Sequence, residues 1–416
     1  MVSLLLRHGR LVTAPQTTVD LAIADGLITA IAPNLDMAAE QTIDLDGELI
    51  SPPFVESHIH LDSALTAGQP RWNQSGTLFE GIEVWGERKQ SLTLEDVQQR
   101  AIATLKLLAS QGTLFVRSHA DVSEPAQIPL KALLAVREAV KDWLTLQVVA
   151  FPQDGIYSHP DNAKRLEEAV KLGADAVGGI PHYELTREAG VQSVHYIFDL
   201  AERYDRLIDI HCDEIDDEQS RFLEVVAAEA LRRHMGDRVT ASHTTAFGSY
   251  NNAYAFKLMG FLKRAKLNFV ANPLINLTLQ GRTDTYPKRR GLTRVKELWQ
   301  NGLNVSLGSD CIQDPWYSLG SGSLLEVASM IIHACQMTGR DELAACYDMI
   351  TYFGAKTFNI ADAYGLAVGK PANLIALDAD NAIAALRDRA TIRHVISRWS
   401  QNQKTSKPEV SWQRHV

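Results

Sequence analysis

Cysteine is scarce in this chain. Its four copies, Cys212, Cys311, Cys335 and Cys346, form no C-x-x-C pair, so no disulfide framework is expected and a reducing, cytoplasmic setting is. Nor is there an apolar run of about 18 residues or more, the length a membrane-spanning helix needs. The opening "MVSLLLRHGRLVTAP" lacks the long apolar core and small-residue cleavage site of a signal peptide. Basic charge is also short, with 41 Lys and Arg against 50 Asp and Glu and a net charge of −9. A phosphate-backbone partner would want a basic face, so nucleic acid is not expected, and neither is a membrane. No internal repeat and no low-complexity segment stands out.

What is present reads as an ordinary globular composition, 45% hydrophobic and 22% charged. A length of 416 residues suits a large barrel with a smaller appended domain. The first 50 residues contain short strands. "VSLLLRHGRLV" reads as a strand, a turn and a second strand, and Asp25-Gly26 and Asp46-Gly47 as hairpin turns. From residue 54 the rhythm changes to short apolar strands alternating with amphipathic helices. Eight strands are expected: "FVESHIH", "TLFVRSH", "LTLQVVAF", "AVGGIPH", "LIDIHCDE", "RVTASHT", "NFVANP" and "NVSLGSD". Thr93 opens one of the helices and Gly112 closes it, and "DNAKRLEEAVKLG" and "EQSRFLEVVAAEALRRHMG" read the same way.

Eight strand-helix units with continuously apolar strands predict an α/β fold, a (β/α)8 TIM-like barrel. A doubly wound open sheet is the alternative, but it would normally carry a phosphate-binding glycine loop where "SHIHLDSALTAG" stands. After residue 365, "YGLAVGKPANLIALDAD" and "ATIRHVISRW" return to strand character. The expected organisation is a barrel over residues 51–364 and a small composite β-sandwich domain from residues 1–50 and 365–416. The polar tail "SQNQKTSKPEVSWQRHV" is expected to be poorly ordered.

His58 and His60 sit two apart in "FVESHIHLDS", so on a strand both imidazoles face one side. An H-x-H pair alone is weak evidence of metal, since a core histidine can bond to a backbone carbonyl instead. The rest of the set decides. His211 ends "LIDIH", His243 ends "RVTASH" and Asp310 ends "NVSLGSD". Loops converge on the C-terminal rim of a barrel, which is where barrel enzymes place their chemistry. Neutral imidazoles plus one carboxylate suit a single divalent ion, Fe²⁺ or Zn²⁺.

This pattern of H-x-H, His, His and Asp resembles the amidohydrolase superfamily, and within it the cytosine deaminases. The stretches that carry the resemblance are "HIHLDSALTAGQPRWNQSGTLFEGIE", "VVAFPQDGI", "DIHCDEIDDEQSRF", "TASHTTA", "FVANPLINLTLQGRTDTYPKRRG" and "DPWYSLG". They run through nearly the whole barrel. The resemblance implies His58, His60, His211 and Asp310 as metal ligands, and a homo-oligomer. It implies Glu214 as the proton shuttle, His243 beside the reacting water, Gln153 on the pyrimidine edge and Trp316 in the pocket wall. The implied reaction is attack of water on the amino-bearing ring carbon. Asp310 would accept the water's proton, and Glu214 would protonate the ring nitrogen and assist departure of ammonia. No lysine ends strand four, where binuclear relatives carry a bridging carbamylated one, which supports one metal.

Blander readings exist for some of these residues. By composition Glu214 belongs to the acidic run "DEIDDE", Gln153 could cap a loop and Trp316 could simply pack. His119 and His182 also end strands and are expected beside the site or on its rim, and "YPKRRG" is expected as a solvated loop or oligomer contact. One departure concerns specificity. Cytosine deaminases usually carry a second aspartate after the metal-binding one, and here Cys311 stands in that place. A thiol is smaller and less polar than a carboxylate, so 5-substituted cytosines such as 5-methylcytosine are the expected small-molecule substrates beside cytosine. Deaminases of related rings (isoguanine, creatinine or an aminotriazine) are the alternative. A barrel that has lost catalysis and serves as a scaffold is a distant third.

Overall fold

Two sheets organise residues 2–397, the part of the chain that the computed structural model describes. The polar tail from Ser400 lies outside the described residues. The larger sheet is parallel and holds β6 (Phe54–Ile59), β7 (Thr113–Asp121), β8 (Thr145–Phe151), β9 (Ala176–Gly179), β10 (Leu207–Cys212), β11 (Val239–His243), β12 (Asn268–Ala271) and β13 (Asn304–Leu307). Each of these strands pairs with its neighbours in sequence. They are the eight strands expected. Burial on both faces explains why they read as apolar runs and not as alternating ones.

The sheet closes on itself through a short seam between β6 and the residues after β13. Ile59 and Asp310 form a parallel bridge. The His60 amide donates to the Asp310 carbonyl at 2.9 Å, and the Asp310 amide donates to the His58 carbonyl at 2.8 Å. The Glu56 carboxylate extends the seam by accepting from the Ser309 amide at 3.0 Å and the His58 amide at 3.1 Å. Burial pushes that carboxyl up to about 7. Gly308 lies against the seam, and a Cβ there would stand 2.7 Å from the His58 carbonyl and 2.8 Å from its Cβ.

Below the seam the barrel interior is filled by polar side chains. Arg117 on β7 is fully buried and donates to Gln147 Oε1 on β8 at 3.0 Å, Asp209 Oδ2 on β10 at 3.0 Å and Thr240 Oγ1 on β11 at 3.2 Å. Its remaining reach goes to the Thr357 carbonyl at 2.8 Å, at the end of the helix Tyr352–Thr357. Asn304 on β13 ties Asn268 on β12 to the same helix. Every charge buried here has a partner, as a low-dielectric interior requires.

Local sequence sets the helices. In α1 (Leu78–Lys89) and α2 (Leu94–Ser110), Thr77 and Thr93 accept from the amides of Glu80 and Asp96, satisfying first-turn donors. Gly112 in the left-handed region ends α2. The helix expected from Glu218 starts only at Phe222. The cause is the buried Asp213 carboxylate, which accepts from the Phe222 and Leu223 amides at 3.0 and 2.8 Å and from Ser220 Oγ at 2.6 Å. That cap fastens the segment after β10 and leaves residues 214–221 as a loop.

The smaller sheet holds β1 (Val2–Leu11), β2 (Ala14–Ala24), β3 (Leu27–Ala32), β4 (Ala39–Asp44), β5 (Leu49–Ser51), β14 (Leu374–Leu377) and β15 (Ile392–Ile396) in the order β15-β14-β5-β1-β2-β3, with β4 also on β1. It forks at β1, and its wings share a core of Leu4, Leu6, Leu21, Ile23, Ile50, Leu374 and Ile396. Two local expectations need correction. "VSLLLRHGRLV" is one strand with a bulge at His8 (φ 55°), because the Asp20 carboxylate accepts the displaced His8 amide at 3.1 Å. Asp25-Gly26 does join β2 to β3 as a hairpin, but Asp46-Gly47 does not make one. β4 and β5 both run parallel to β1, one after the other. The left-handed pair carries the chain past the bulge, with the Gly47 amide donating to the His8 carbonyl at 2.8 Å.

The seam gives a stability test. Gly308→Ala should destabilise the fold by roughly 1–3 kcal/mol, the cost of overpacking a closed interior, because the nearest atoms include backbone of β6. Urea unfolding of the variant measures it, and an unchanged midpoint would show that the seam can open without cost.

Candidate metal centre and active site

The seam delivers the opening histidine pair to the carboxylate that shares it. His58, on β6, and His60, just beyond its end, are both buried. His58 Nε2 lies 3.1 Å from Asp310 Oδ1, and His60 Nε2 lies 3.4 Å from that oxygen and 3.0 Å from His211 Nε2. Ligands placed about 2.0–2.2 Å from one tetrahedral ion stand roughly 3.4 Å apart, close to these separations. His58 Nε2 and Asp310 Oδ1 are buried and have no hydrogen-bond partner among the described residues. Ligand atoms of His58, His211, His243 and Asp310 also lie within 4.8 Å of one another.

Electrostatics agrees with the geometry. Burial first, and repulsion among neighbouring imidazoles second, holds His58 and His211 far below the usual histidine range. His60 is shifted the same way for the same reasons. All three are therefore neutral, the form that ligates. Burial drives the Asp310 carboxyl strongly upward, so a cation beside it is what would restore the carboxylate. The residues present fit a divalent ion. His243 and Asp310 adopt left-handed backbone at φ 67° and 63°, a strained conformation for residues with side chains that costs on the order of 1–3 kcal/mol. Such strain persists only where the surrounding fold imposes it, as the strand ends do here.

A second group adjoins the first. Glu214, two residues beyond β10, is buried and not part of a solvated acidic face, and its Oε1 lies 3.0 Å from His243 Nδ1. Burial opposes charge on His243, yet the carboxylates of Glu214 and Asp310 outweigh it and push the imidazole up to about 9. Asn276 donates to Glu214 Oε1 at 3.2 Å and stands 3.2 Å from His243 Nδ1, and the Asn272 amide lies 3.3 Å from the same ring. The sequence reading assigned no role to these two asparagines. The signal for them was N-P-x-x-N at the end of the seventh strand, where an i, i+4 spacing puts both amides on one side of the short helix Pro273–Leu279.

Between these groups and the loops above lies a small cavity. Its polar lining includes His60, His211, Asp310, Glu214 and Gln153. Gln153 follows β8, and its side-chain amide makes no hydrogen bond to another described residue. The apolar lining includes Ile275, Leu279 and Cys311, which pack together with Leu78 and Trp316. Cys311 is a buried thiol whose pKa burial raises far above the usual value, and it is hydrogen-bonded to the Asp314 carboxylate. Asp314 also accepts from the Trp316 and Tyr317 amides at 3.0 Å and from Ser63 Oγ at 3.1 Å, which shapes the loop bearing the indole. α1 packs over that indole through Gly81, where any Cβ would overlap the Trp316 ring. Lys89, at the far end of α1, ties the helix to Asp121 at 3.0 Å and Asp154 at 2.7 Å.

The remaining candidates fall outside the cavity. His119 is fully buried with its ring centroid 4.0 Å from that of His58 and tilted against it, and His182 is half-buried. In the basic run, Arg289 folds back on Asp284 at 2.7 Å and Lys288 on the Gly281 carbonyl at 2.7 Å. Arg289 also donates to the Asp216 carbonyl and to Ser249 Oγ, and Arg290 to the Ala334 carbonyl, so the loop is fastened to its neighbours.

Comparison with known proteins gives a consistent picture. Residues 41–398 match the model of the amidohydrolase family. The chain is 49% identical to 5-methylcytosine deaminase from Klebsiella pneumoniae, solved with 5-fluorocytosine bound. That similarity covers 95% of this chain and 96% of that one, with a TM-score of 0.93. Among curated proteins it is 28% identical to N-isopropylammelide isopropyl amidohydrolase of Pseudomonas sp. (strain ADP), over 93% of this chain and 94% of that protein. It is 29% identical to pterin deaminase of Rhizobium rhizogenes, over 86% and 82%.

The site as built makes metal content the direct readout. His60→Ala and His211→Ala should each lose bound divalent metal together with activity, as measured by elemental analysis of the purified variants. Wild-type metal content and full activity in either variant would remove the centre described here.

Proposed function

The chain belongs to the amidohydrolase family, and from that premise we propose that it hydrolytically deaminates 5-methylcytosine and related 5-substituted cytosines, with cytosine as a further substrate. The products are the corresponding thymine or uracil and ammonia. The observation that carries this reading is the convergence of His60, His211 and Asp310 at 3.0–3.4 Å beneath a cavity that also holds Glu214 and Gln153. The 49% identity to a 5-methylcytosine deaminase supports this ring over the triazine and pterin rings of the more distant relatives.

His58, His60, His211 and Asp310 would hold one divalent ion, Fe²⁺ or Zn²⁺. When bound, such an ion lowers the pKa of a coordinated water toward neutrality and so supplies a nucleophile. The chain's own residues then account for the proton traffic. Asp310 accepts a proton from the attacking water, and His243 orients that water. As oxygen bonds to the amino-bearing carbon, the ring C=N electron pair moves to nitrogen, which takes through Glu214 the proton that the Glu214–His243 pair shares. Collapse of the tetrahedral carbon expels the amino group: the hydroxyl proton on that carbon, relayed by Glu214, makes it ammonia, and the proton held by Asp310 returns to the Glu214–His243 pair. Asn276 holds Glu214 and His243 in register for both transfers. Gln153 offers a donor and an acceptor to the N–H and carbonyl edge of the pyrimidine, and its free amide is suited to that role.

Specificity at carbon five rests on the apolar lining. Cys311, Ile275 and Leu279 form a wall without a carboxylate, so a methyl or halogen meets neither charge nor a bulky polar group. A methylene-sized fit in such a pocket is worth about 1–3 kcal/mol, or roughly 10–200-fold in kcat/KM.

Two measurements test the proposal. Cys311→Asp should shift the kcat/KM ratio of 5-methylcytosine to cytosine toward cytosine by at least about tenfold, and an unmoved ratio would free Cys311 of any role in specificity. Glu214→Gln should retain metal while turnover falls by roughly 10²-fold or more. A wild-type rate there would show that the proton moves by another route.

A further inference from the structure

One of the three proposed imidazole ligands is tied into the barrel interior through its far nitrogen. His58 Nδ1 lies 3.0 Å from Ser242 Oγ, and Ser242 Oγ lies 2.6 Å from Asp209 Oδ1. The other Asp209 oxygen accepts from Arg117 Nη1 at 3.0 Å. All four side chains are fully buried. His211 differs, since its Nδ1 is buried without a partner among the described residues.

Only one placement of protons satisfies this chain. With Arg117 permanently charged beside it, Asp209 is a carboxylate and can only accept, so at 2.6 Å the serine hydroxyl must donate to it. The serine oxygen then has lone pairs left for His58, and Nδ1 must carry the proton that they accept. The opposite assignment would place two lone pairs 2.6 Å apart in a dry interior and leave the carboxylate short of a donor. With the proton on Nδ1, Nε2 bears a lone pair and faces Asp310 Oδ1. Two acceptors 3.1 Å apart then leave a place that only a cation or a shared proton can fill.

We infer that Ser242 and Asp209 are positioning residues for the metal, holding His58 in its Nδ1–H tautomer before any ion arrives, with Arg117 as the counter-charge that lets Asp209 remain ionised inside the barrel. His119 packs beside the arrangement, its ring tilted against that of His58 and its Nε2 3.6 Å from Asp209 Oδ1. A carboxylate acting through a hydroxyl also makes the ligating nitrogen a better electron donor, the usual effect of an anion hydrogen-bonded behind a ligand histidine. This inference rests on the reading of His58 as a ligand.

The test uses the full chain, stripped of metal and titrated with Zn²⁺ against a competing chelator. Ser242→Ala should weaken zinc binding by about 10–100-fold, and it should abolish the Nδ1–H signature of His58 in ¹⁵N spectra of the metal-free protein. If Ser242→Ala binds zinc as tightly as wild type while His58→Ala does not, the positioning role is overturned and the ligand reading stands. If His58→Ala also binds zinc like wild type, the ligand reading itself falls. The wild-type spectrum is an independent check that needs no variant, because a metal-free His58 carrying its proton on Nε2 would overturn the inference directly.

Discussion

Two backbone hydrogen bonds between the end of β6 and Asp310 hold this molecule's chemistry together. They close the barrel, and the same residues, His58, His60 and Asp310, are the proposed ligands. Closure and coordination are therefore one geometric requirement. A parallel strand pair fixes the separation of its side chains to within a few tenths of an ångström, so the imidazoles need no mobile loop to meet the carboxylate. Glu56 and Gly308 serve the same contact from either side, one by supplying an acceptor where the ladder lacks one, the other by leaving room for β6 to approach.

Charge is handled in two tiers inside the barrel. The lower tier neutralises itself: Arg117 and Asp209 pair, and neighbouring amides and hydroxyls take up what remains. The upper tier does not. Burial holds the imidazoles of His58, His60 and His211 neutral and disfavours the Asp310 carboxylate, and the imbalance is what a divalent ion would correct. Asp209 connects the tiers, since one of its oxygens serves Arg117 and the other faces Ser242 beneath His58. A buried ion pair is weak evidence for stability, because desolvation consumes most of its Coulombic gain. Its use as a fixed anchor for a ligand is a better reason for its presence.

Much of this was legible in the chain itself, and the unread part has a common cause. The eight barrel strands stood out because burial on both faces makes them apolar throughout. His58, His60, His211, His243 and Asp310 stood out because polar residues at the ends of such strands are hard to place otherwise. Arg117, Asp209 and Ser242 lie inside strands, far apart in sequence, and look like isolated interruptions until the barrel closes and brings them into contact. Asn272 and Asn276 carried a local spacing signal, but amides have no titration or metal preference to mark them. The fit of Gly81 under Trp316 had no signal at all. The Asp46-Gly47 error is of another kind: two residues with positive φ serve a hairpin or a jog equally well, and only strand pairing, a non-local fact, distinguishes them.

The forked sheet sets an order on how the molecule can be made. β5 offers its free edge as soon as residue 51 has been synthesised, but its partner β14 begins only at residue 374, after every barrel strand. During translation the barrel can close and bring the proposed ligands together while that edge is still unpaired. The first hairpins must wait beside it, with part of their apolar core uncovered, until the last strands emerge. A nascent chain is thus most exposed to edge-to-edge association at a stage when its catalytic half is already assembled.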